Sequence, residues 1–262
     1  MVVTLCIAWL VGVSLPAQQP VAAPRLAPFS IDVGGFYHAL DNGYGEWRGA
    51  DVRLAYTGTR FAPIATAATQ HRREGYQNMF GLGSYVTLSP RLYSIVGMSV
   101  ATGGTAVLFP RLRWDVALIA DAPVVTGLRV TAGYTRVNFG QGSAGSIVSL
   151  GPIYYRGPLI LSGTARLNRD GASGASSGSA EVAGQYGAQG RSWAGGSFSA
   201  GREAYQTLSA TPFDVAFSNV GGTLFYQRWV TRRTAVLGRV EYQHKLTAYR
   251  RRGLYTAYQV AF

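Results

Sequence analysis

The sequence predicts an all-β protein, a transmembrane antiparallel up-and-down β-barrel, and three observations support that fold class. The last nine residues place large apolar side chains on one face of a predicted strand and end on Phe262. Only 14% of the residues are charged, although the mean hydropathy is just +0.08. Segments of about ten residues with β-type alternation follow one another along the chain, as membrane-crossing strands do.

The C-terminal strand presents one apolar face. Leu254, Tyr258, Val260 and Phe262 share that face because side chains alternate along a strand. A barrel places such a face against lipid, with its last aromatic ring at the membrane interface. This strand resembles the signal, here Tyr258, Val260 and Phe262, by which bacterial outer-membrane barrels are recognised for insertion. The resemblance implies location in the outer membrane of a Gram-negative bacterium and the barrel-assembly machinery as a partner.

The N-terminal residues are typical of a secretory signal peptide. The run Val2–Leu15 is uncharged and mostly apolar, too short to span a bilayer as a helix, and cleavage is predicted after Ala17. The only cysteine, Cys6, lies in this run, so the mature chain has no thiol for a disulfide or a Cys-based metal site. The predicted division is a signal peptide at 1–17, an N-terminal periplasmic segment at 18–28 and an outer-membrane β-barrel at 29–262.

Composition separates the barrel from its competitors. Beyond the signal peptide no apolar run reaches the length of a transmembrane helix. The chain has 34 glycines and 16 tyrosines, which suits small lumen residues and aromatic girdles. A secreted soluble β-sandwich is the main alternative, and it should carry more charge on its outer faces.

The strands are separated by alternately long and short breaks, which places all the tight turns at one end of a barrel. Fourteen strands are predicted, with twelve as the alternative. They are expected at about 29–38, 48–57, 62–71, 78–88, 91–101, 111–121, 126–137, 146–156, 159–168, 179–189, 191–202, 217–229, 233–245 and 251–262.

Alternation assigns charged residues to the lumen. In the second strand Val52 and Leu54 point to lipid, against Asp51 and Arg53 inside. The predicted lumen charge network balances the two signs, so the net charge of +12 must lie in loops and turns. We expect arginine–carboxylate pairing across the interior, with a solute-conducting constriction as the alternative. The network comprises Asp32, Asp51, Arg53, Arg113, Asp115, Arg129, Arg166, Glu181, Arg239 and Glu241.

The remaining basic groups are predicted at the two rims. An outer rim of arginines would lie near lipopolysaccharide phosphates, so outer-membrane lipid and lipopolysaccharide are the expected partners. Nucleic acid is not expected, because no recognition helix is apparent and the basic groups are split between two ends. The outer rim arginines are Arg72, Arg73, Arg250, Arg251 and Arg252.

A fourteen-strand barrel would measure about 27 Å between opposite backbones and leave roughly 15 Å of lumen if nothing filled it. The longest loop, at 203–216, and the segment at 18–28 are the two candidates for folding inward.

The histidines give no convergent catalytic site. His38 is expected to face inward and His244 outward, both near the outer ends of strands, as is His71. No GxSxG or HExxH sequence occurs. The sequence therefore predicts no enzyme, no cofactor and no metal site.

Several segments resemble the YaiO-type outer-membrane β-barrel family. They are turn and girdle motifs within roughly residues 29–262: Gly43–Arg48, Leu88–Tyr93, Leu108–Arg111 and Tyr154–Leu159. The resemblance implies a barrel without a catalytic motif. Some members of that family sit beside polysaccharide-synthesis machinery, which makes such machinery a possible partner.

The sequence is compatible with three functions. The first is a channel or export port for polar solutes or polysaccharide. The second is a closed structural or interaction barrel without transport. The third is an outer-membrane lipid-modifying enzyme.

Overall fold

The computed structural model describes residues 28–104, 108–140, 143–171, 173–188, 190–203, 217–246 and 248–262. The predicted signal peptide at 1–17 and nearly all of the segment at 18–28 lie outside the described residues. Among the described residues, no helix is long and apolar enough to cross a membrane.

Fourteen antiparallel strands form one closed barrel in which each strand pairs with its neighbours in sequence. The prediction of fourteen rather than twelve strands is therefore confirmed. The strands are β1 Phe29–Leu40, β2 Glu46–Tyr56, β3 Phe61–Arg72, β4 Gly75–Ser89, β5 Leu92–Thr102, β6 Leu112–Asp121, β7 Leu128–Gly140, β8 Ser143–Arg156, β9 Leu159–Asp170, β10 Ser176–Ala188, β11 Ser192–Glu203, β12 Phe217–Trp229, β13 Thr234–Lys245 and β14 Tyr249–Ala261.

The connections define two ends of the barrel. The turn end carries tight connections such as 57–60 and 157–158, and the loop end carries 41–45, 103–111 and 204–216. The predicted break at 139–145 shrinks to residues 141–142, because β7 and β8 extend further than the sequence pattern indicated. Strand pairing satisfies backbone groups that would otherwise face lipid, which favours such extension.

β1 and β14 pair with each other and close the barrel. Their register pairs Ser30 with Ala261 and His38 with Gly253. The Phe29 and Phe262 rings stack with centroids 6.0 Å apart at the turn end. Closure leaves no free sheet edge, which a barrel in lipid requires.

The outer surface is apolar and the largest buried side chains lie inside. Val52 and Leu54 are exposed on the outside of β2, and Asp51 is buried on its lumen face. The largest fully buried side chains all lie near the loop end, so the barrel is packed most densely there. They are Trp47, Tyr249, Lys245, His38, Gln70, Val137 and Pro110.

Candidate functional site: the charged lumen

All ten residues of the predicted charge network lie on the lumen face of their strands. Their side chains alternate with exposed apolar residues of the outer surface, and their cross-strand neighbours also face the lumen. The pairs fall on two opposite walls. The seam wall is the lumen face of β13, β14, β1 and β2, and the far wall is the lumen face of β6 to β10.

Glu241 is the centre of the seam wall. Its carboxylate lies 2.7 Å from Arg239 Nη2, 3.2 Å from His38 Nε2 and 3.8 Å from Arg251 Nη2. His38 and Arg251 come from β1 and β14, so this one carboxylate links strands from both sides of the closure. The ionised carboxylate compensates the charges of two neighbouring guanidinium groups, which would otherwise repel each other in the barrel interior.

Closer to the turn end, the seam wall holds two further acids. The Tyr255 hydroxyl donates to Asp51 Oδ2 at 3.3 Å, and the Arg239 guanidinium lies over the Tyr255 ring at 4.6 Å. Asp32 and Arg53 lie opposite each other on β1 and β2, with Oδ2 and Nη1 3.6 Å apart. Gly34 makes room for this cluster, because a Cβ at that position would collide with the Tyr255 hydroxyl.

Trp47 anchors the loop end of the seam wall. The Arg72 guanidinium lies 4.0 Å from its ring centroid and that of Arg251 lies 5.6 Å away, while Tyr249 packs edge-on at 5.8 Å. The prediction that Arg72 and Arg251 belong to the outer rim was therefore wrong. β3 extends one residue beyond its predicted end and includes Arg72 on its lumen face, and Arg251 lies within β14 on the same face as Tyr255.

The far wall holds separate pairs. Arg113 donates two hydrogen bonds to Asp115, at 2.8 and 2.7 Å, and Thr135 also donates to that carboxylate. Arg166 Nη2 donates to Glu181 at 3.2 Å. Each arginine on this wall has a carboxylate of its own, in contrast to the shared Glu241.

Arg129 forms the third far-wall pair, with Asp121. Its Nε donates to Asp121 Oδ1 at 2.7 Å, and its guanidinium lies 4.8 Å from the Tyr93 ring and 4.9 Å from the Tyr155 ring. Aromatic faces on both sides hold the guanidinium in place near the turn end.

The described end of the connection between β5 and β6, from Leu108 onward, enters the lumen. The backbone N–H groups of Leu108 and Phe109 both donate to Gln77 Oε1, at 2.7 and 2.6 Å. Phe109 packs against Val137 and Phe139, so this part of the loop narrows the loop end. The sequence pointed instead to 203–216 and 18–28 for this role, and those segments lie almost entirely outside the described residues.

Access to water differs between the two ends of the lumen. Asp121 keeps 33% and Arg53 21% of their side-chain surface exposed near the turn end, whereas Arg113 keeps 3% nearer the loops. The lumen is thus a charged, wetted space at the turn end that narrows into a packed layer at the loop end.

The three histidines take different positions. His38 is buried beside Glu241, and Gly253 leaves the space that its ring occupies. His71 lies on the outer face of β3, where its ring stacks on that of Tyr76. His244 shares the outward face of β13 with Val240 and Tyr242.

The sequence did not point to Asp121, Trp47, Gln77 or Arg251 as parts of this site, and it placed His38 inside without linking it to Glu241. Strict alternation from Asp115 already placed Asp121 inside, and alternation from Tyr255 did the same for Arg251. Those two could have been found by extending the pattern to the strand ends. No local signal marks Gln77, because its role depends on a loop thirty residues away.

A closed barrel with an aliphatic outer surface and a charged interior defines a membrane-spanning β-barrel. The model of the YaiO membrane beta barrel domain matches residues 29–206, and this chain belongs to that family. No curated protein is significantly similar in sequence to this chain.

The fold is also similar to those of solved outer-membrane channels, at low sequence identity. One is the CymD monoaromatic hydrocarbon channel, with a TM-score of 0.63, 9% identity and coverage of 90% of this chain and 89% of that one. The Pseudomonas putida toluene transporter TodX gives a TM-score of 0.62, 8% identity and coverage of 92% and 90%. The COG4313 outer membrane channel from Pseudomonas putida F1 gives 0.53, 10% identity and coverage of 95% and 100%.

Proposed function

We propose that this protein is a channel of the Gram-negative outer membrane that passes small polar solutes. The observation that carries the proposal is the wetted, charge-lined lumen at the turn end, where Asp32, Arg53, Asp121 and Arg129 all keep part of their surface in water. A barrel with a purely structural role would gain more stability from an apolar interior than from partly solvated ion pairs.

The solute class follows from the arrangement of the charges. Opposite signs stand side by side on both walls, so no ring of one sign selects cations or anions. Such a lumen favours uncharged or zwitterionic polar molecules. Two proteins of similar fold are described by names that refer to hydrocarbons, and the charges here support a polar cargo instead.

In this proposal the packed layer at the loop end limits the size of the solutes that pass. Loosening that layer should therefore change the conductance. Gln77→Leu removes the acceptor for the N–H groups of Leu108 and Phe109, so the inner part of the loop should be released. In planar bilayers we expect a small single-channel conductance for the unaltered barrel and an increase of about threefold or more for Gln77→Leu.

The matched control is Gln185→Leu, a lumen glutamine on β10 that is distant from the loop. It should leave the conductance within about 20% of the original value, because it does not contact the constriction. Electrical silence of both the unaltered barrel and Gln77→Leu would refute the channel.

The second candidate is a closed barrel that binds envelope partners, favoured by the packed loop end around Trp47 and Phe109. It predicts silence in the same experiment. Export of a polysaccharide, with its synthesis machinery as partner, is a further version of the channel proposal. We propose no enzymatic role, since His71 and His244 point away from His38.

We further propose that the C-terminal residues Tyr258, Val260 and Phe262 act as the signal for barrel assembly. They lie on the lipid face beside the closure, where Phe262 stacks on Phe29. Phe262→Asp should lower the amount of folded barrel in outer membranes about tenfold while the purified protein still folds in detergent. Normal amounts of the variant in the membrane would contradict the signal.

A further inference from the structure

A row of two arginines, two serines and one tryptophan crosses the outer surface of the strands β6 to β10 near the loop end. The strand register places them side by side on five neighbouring strands, all facing away from the lumen. We call this set the arginine row: Trp114, Arg136, Ser146, Arg169 and Ser176.

Two guanidinium groups flank one hydroxyl in this row. Arg136 on β7 and Arg169 on β9 both pair in register with Ser146 on β8. Neighbouring strands lie about 4.8 Å apart, so the two arginine backbones are separated by about 10 Å with Ser146 between them. Flexible arginine side chains span that gap and can both reach one anion above the serine.

The row has no acid to balance it. Within the described part of the chain, neither Arg136 nor Arg169 forms an ion pair or a side-chain hydrogen bond. On the outer surface of β1 and β2 the situation is different: Arg48 lies 3.8 Å from Glu46, and that carboxylate also accepts from Tyr37. The arginine on the outer surface of β2 is thus neutralised by a neighbouring glutamate, whereas the two arginines of the row carry an uncompensated positive charge.

Below the row the surface is aliphatic. The next lipid-facing positions on the same strands include Val116, Val148 and Leu167, and beyond them Leu118 and Leu150, all exposed. The Trp114 and Tyr134 rings, 5.2 Å apart, mark the boundary between the charged and the apolar zones. Arginines without an acidic partner next to an aliphatic surface are complementary to a phosphorylated lipid, which has an anionic headgroup and apolar acyl chains.

We propose that, with the loop end on the outer side of the membrane, the arginine row is a binding site for the phosphate groups of lipid A, the lipid anchor of lipopolysaccharide in the outer leaflet. Arg136 and Arg169 bind a phosphate from two sides, and the Ser146 hydroxyl donates to it from below. The acyl chains lie along the aliphatic surface of β7 to β9. The site is independent of conduction through the lumen, so a silent channel would leave it unaffected.

The test uses the full barrel purified in detergent and native mass spectrometry with added lipid A. Arg136→Ser/Arg169→Ser should weaken binding of bis-phosphorylated lipid A about tenfold or more. The matched control is Arg156→Ser/Arg228→Ser, which removes the same charge from the outer surface at the turn end, remote from the row, and should change binding less than twofold. Mobility on unheated gels verifies that each variant is folded.

A second measurement on the unaltered barrel does not depend on any variant. Bis-phosphorylated lipid A should displace dephosphorylated lipid A of the same acyl composition. Equal binding of the two lipids would overturn the proposal, as would an equal loss of binding in both double variants.

Discussion

The two walls of the lumen solve the same problem of burying charge in different ways. On the seam wall, Glu241 serves Arg239, Arg251 and His38 from three different strands. On the far wall, Asp115, Asp121 and Glu181 each serve one arginine on the same or an adjacent strand. The shared acid lies where the barrel closes, and the separate pairs lie where neighbouring hairpins already hold the strands together.

This difference indicates how much depends on each acid. Removal of a shared, buried carboxylate leaves more than one cation uncompensated, whereas removal of a local partner leaves one. Exposure to water reduces the effect further, because a solvated arginine does not need its partner. Three variants, each removing one acid, test this expected order of destabilisation.

Glu241→Gln should have the largest effect. The amide keeps the shape but withdraws the negative charge from Arg239 and Arg251, so we expect the free energy of unfolding to fall by about 3–5 kcal/mol. Urea titration of the barrel in lipid vesicles, followed by gel mobility, measures it. Glu46→Gln, an exposed control, should be close to neutral, and a loss below about 1 kcal/mol for Glu241→Gln would show that the seam wall does not depend on this acid.

Asp115→Asn should have an intermediate effect. Arg113 is nearly fully buried, but the asparagine oxygen still accepts one of its two hydrogen bonds, so we expect a loss of about 2–3 kcal/mol in the same titration. The double variant Arg113→Met/Asp115→Leu removes both charges and should be more stable than Asp115→Asn. A double variant that is less stable would mean that the pair itself, rather than its incomplete removal, controls stability.

Asp121→Asn should have the smallest effect on folding, under about 1 kcal/mol, because Asp121 keeps 33% and Arg129 keeps 20% of its side-chain surface in water. The change should appear in conduction instead. Arg129 becomes an unbalanced lumen cation, and the reversal potential in a salt gradient should shift toward anion selectivity. An unchanged reversal potential would place this pair outside the conducting path.

The fold was largely predictable because strand alternation and turn spacing are local properties of the sequence. Residues such as Val52 and Asp51 reveal their faces through their neighbours. The partners in the lumen were less accessible. Glu241 approaches His38 only because β13, β14 and β1 meet at the closure, and pairing across about two hundred residues leaves no pattern in a single sequence.

The loop segment that enters the lumen could not be predicted from the sequence either. Gln77 has no feature that sets it apart from Gln185, and its contacts with Leu108 and Phe109 arise from three-dimensional packing. Arg72 was misplaced for a simpler reason. A shift of one residue in a strand end moves a side chain from the rim to the lumen.

The closure between β1 and β14 has a consequence for the order of folding. Phe29 and Phe262 exchange two backbone hydrogen bonds, at 3.2 and 2.9 Å, across nearly the whole length of the barrel sequence. Every other strand pair is a hairpin that can form from adjacent residues, so this junction has by far the highest contact order in the molecule. It should form last and limit the folding rate, and until it forms both terminal strands remain open edges that can pair with another chain.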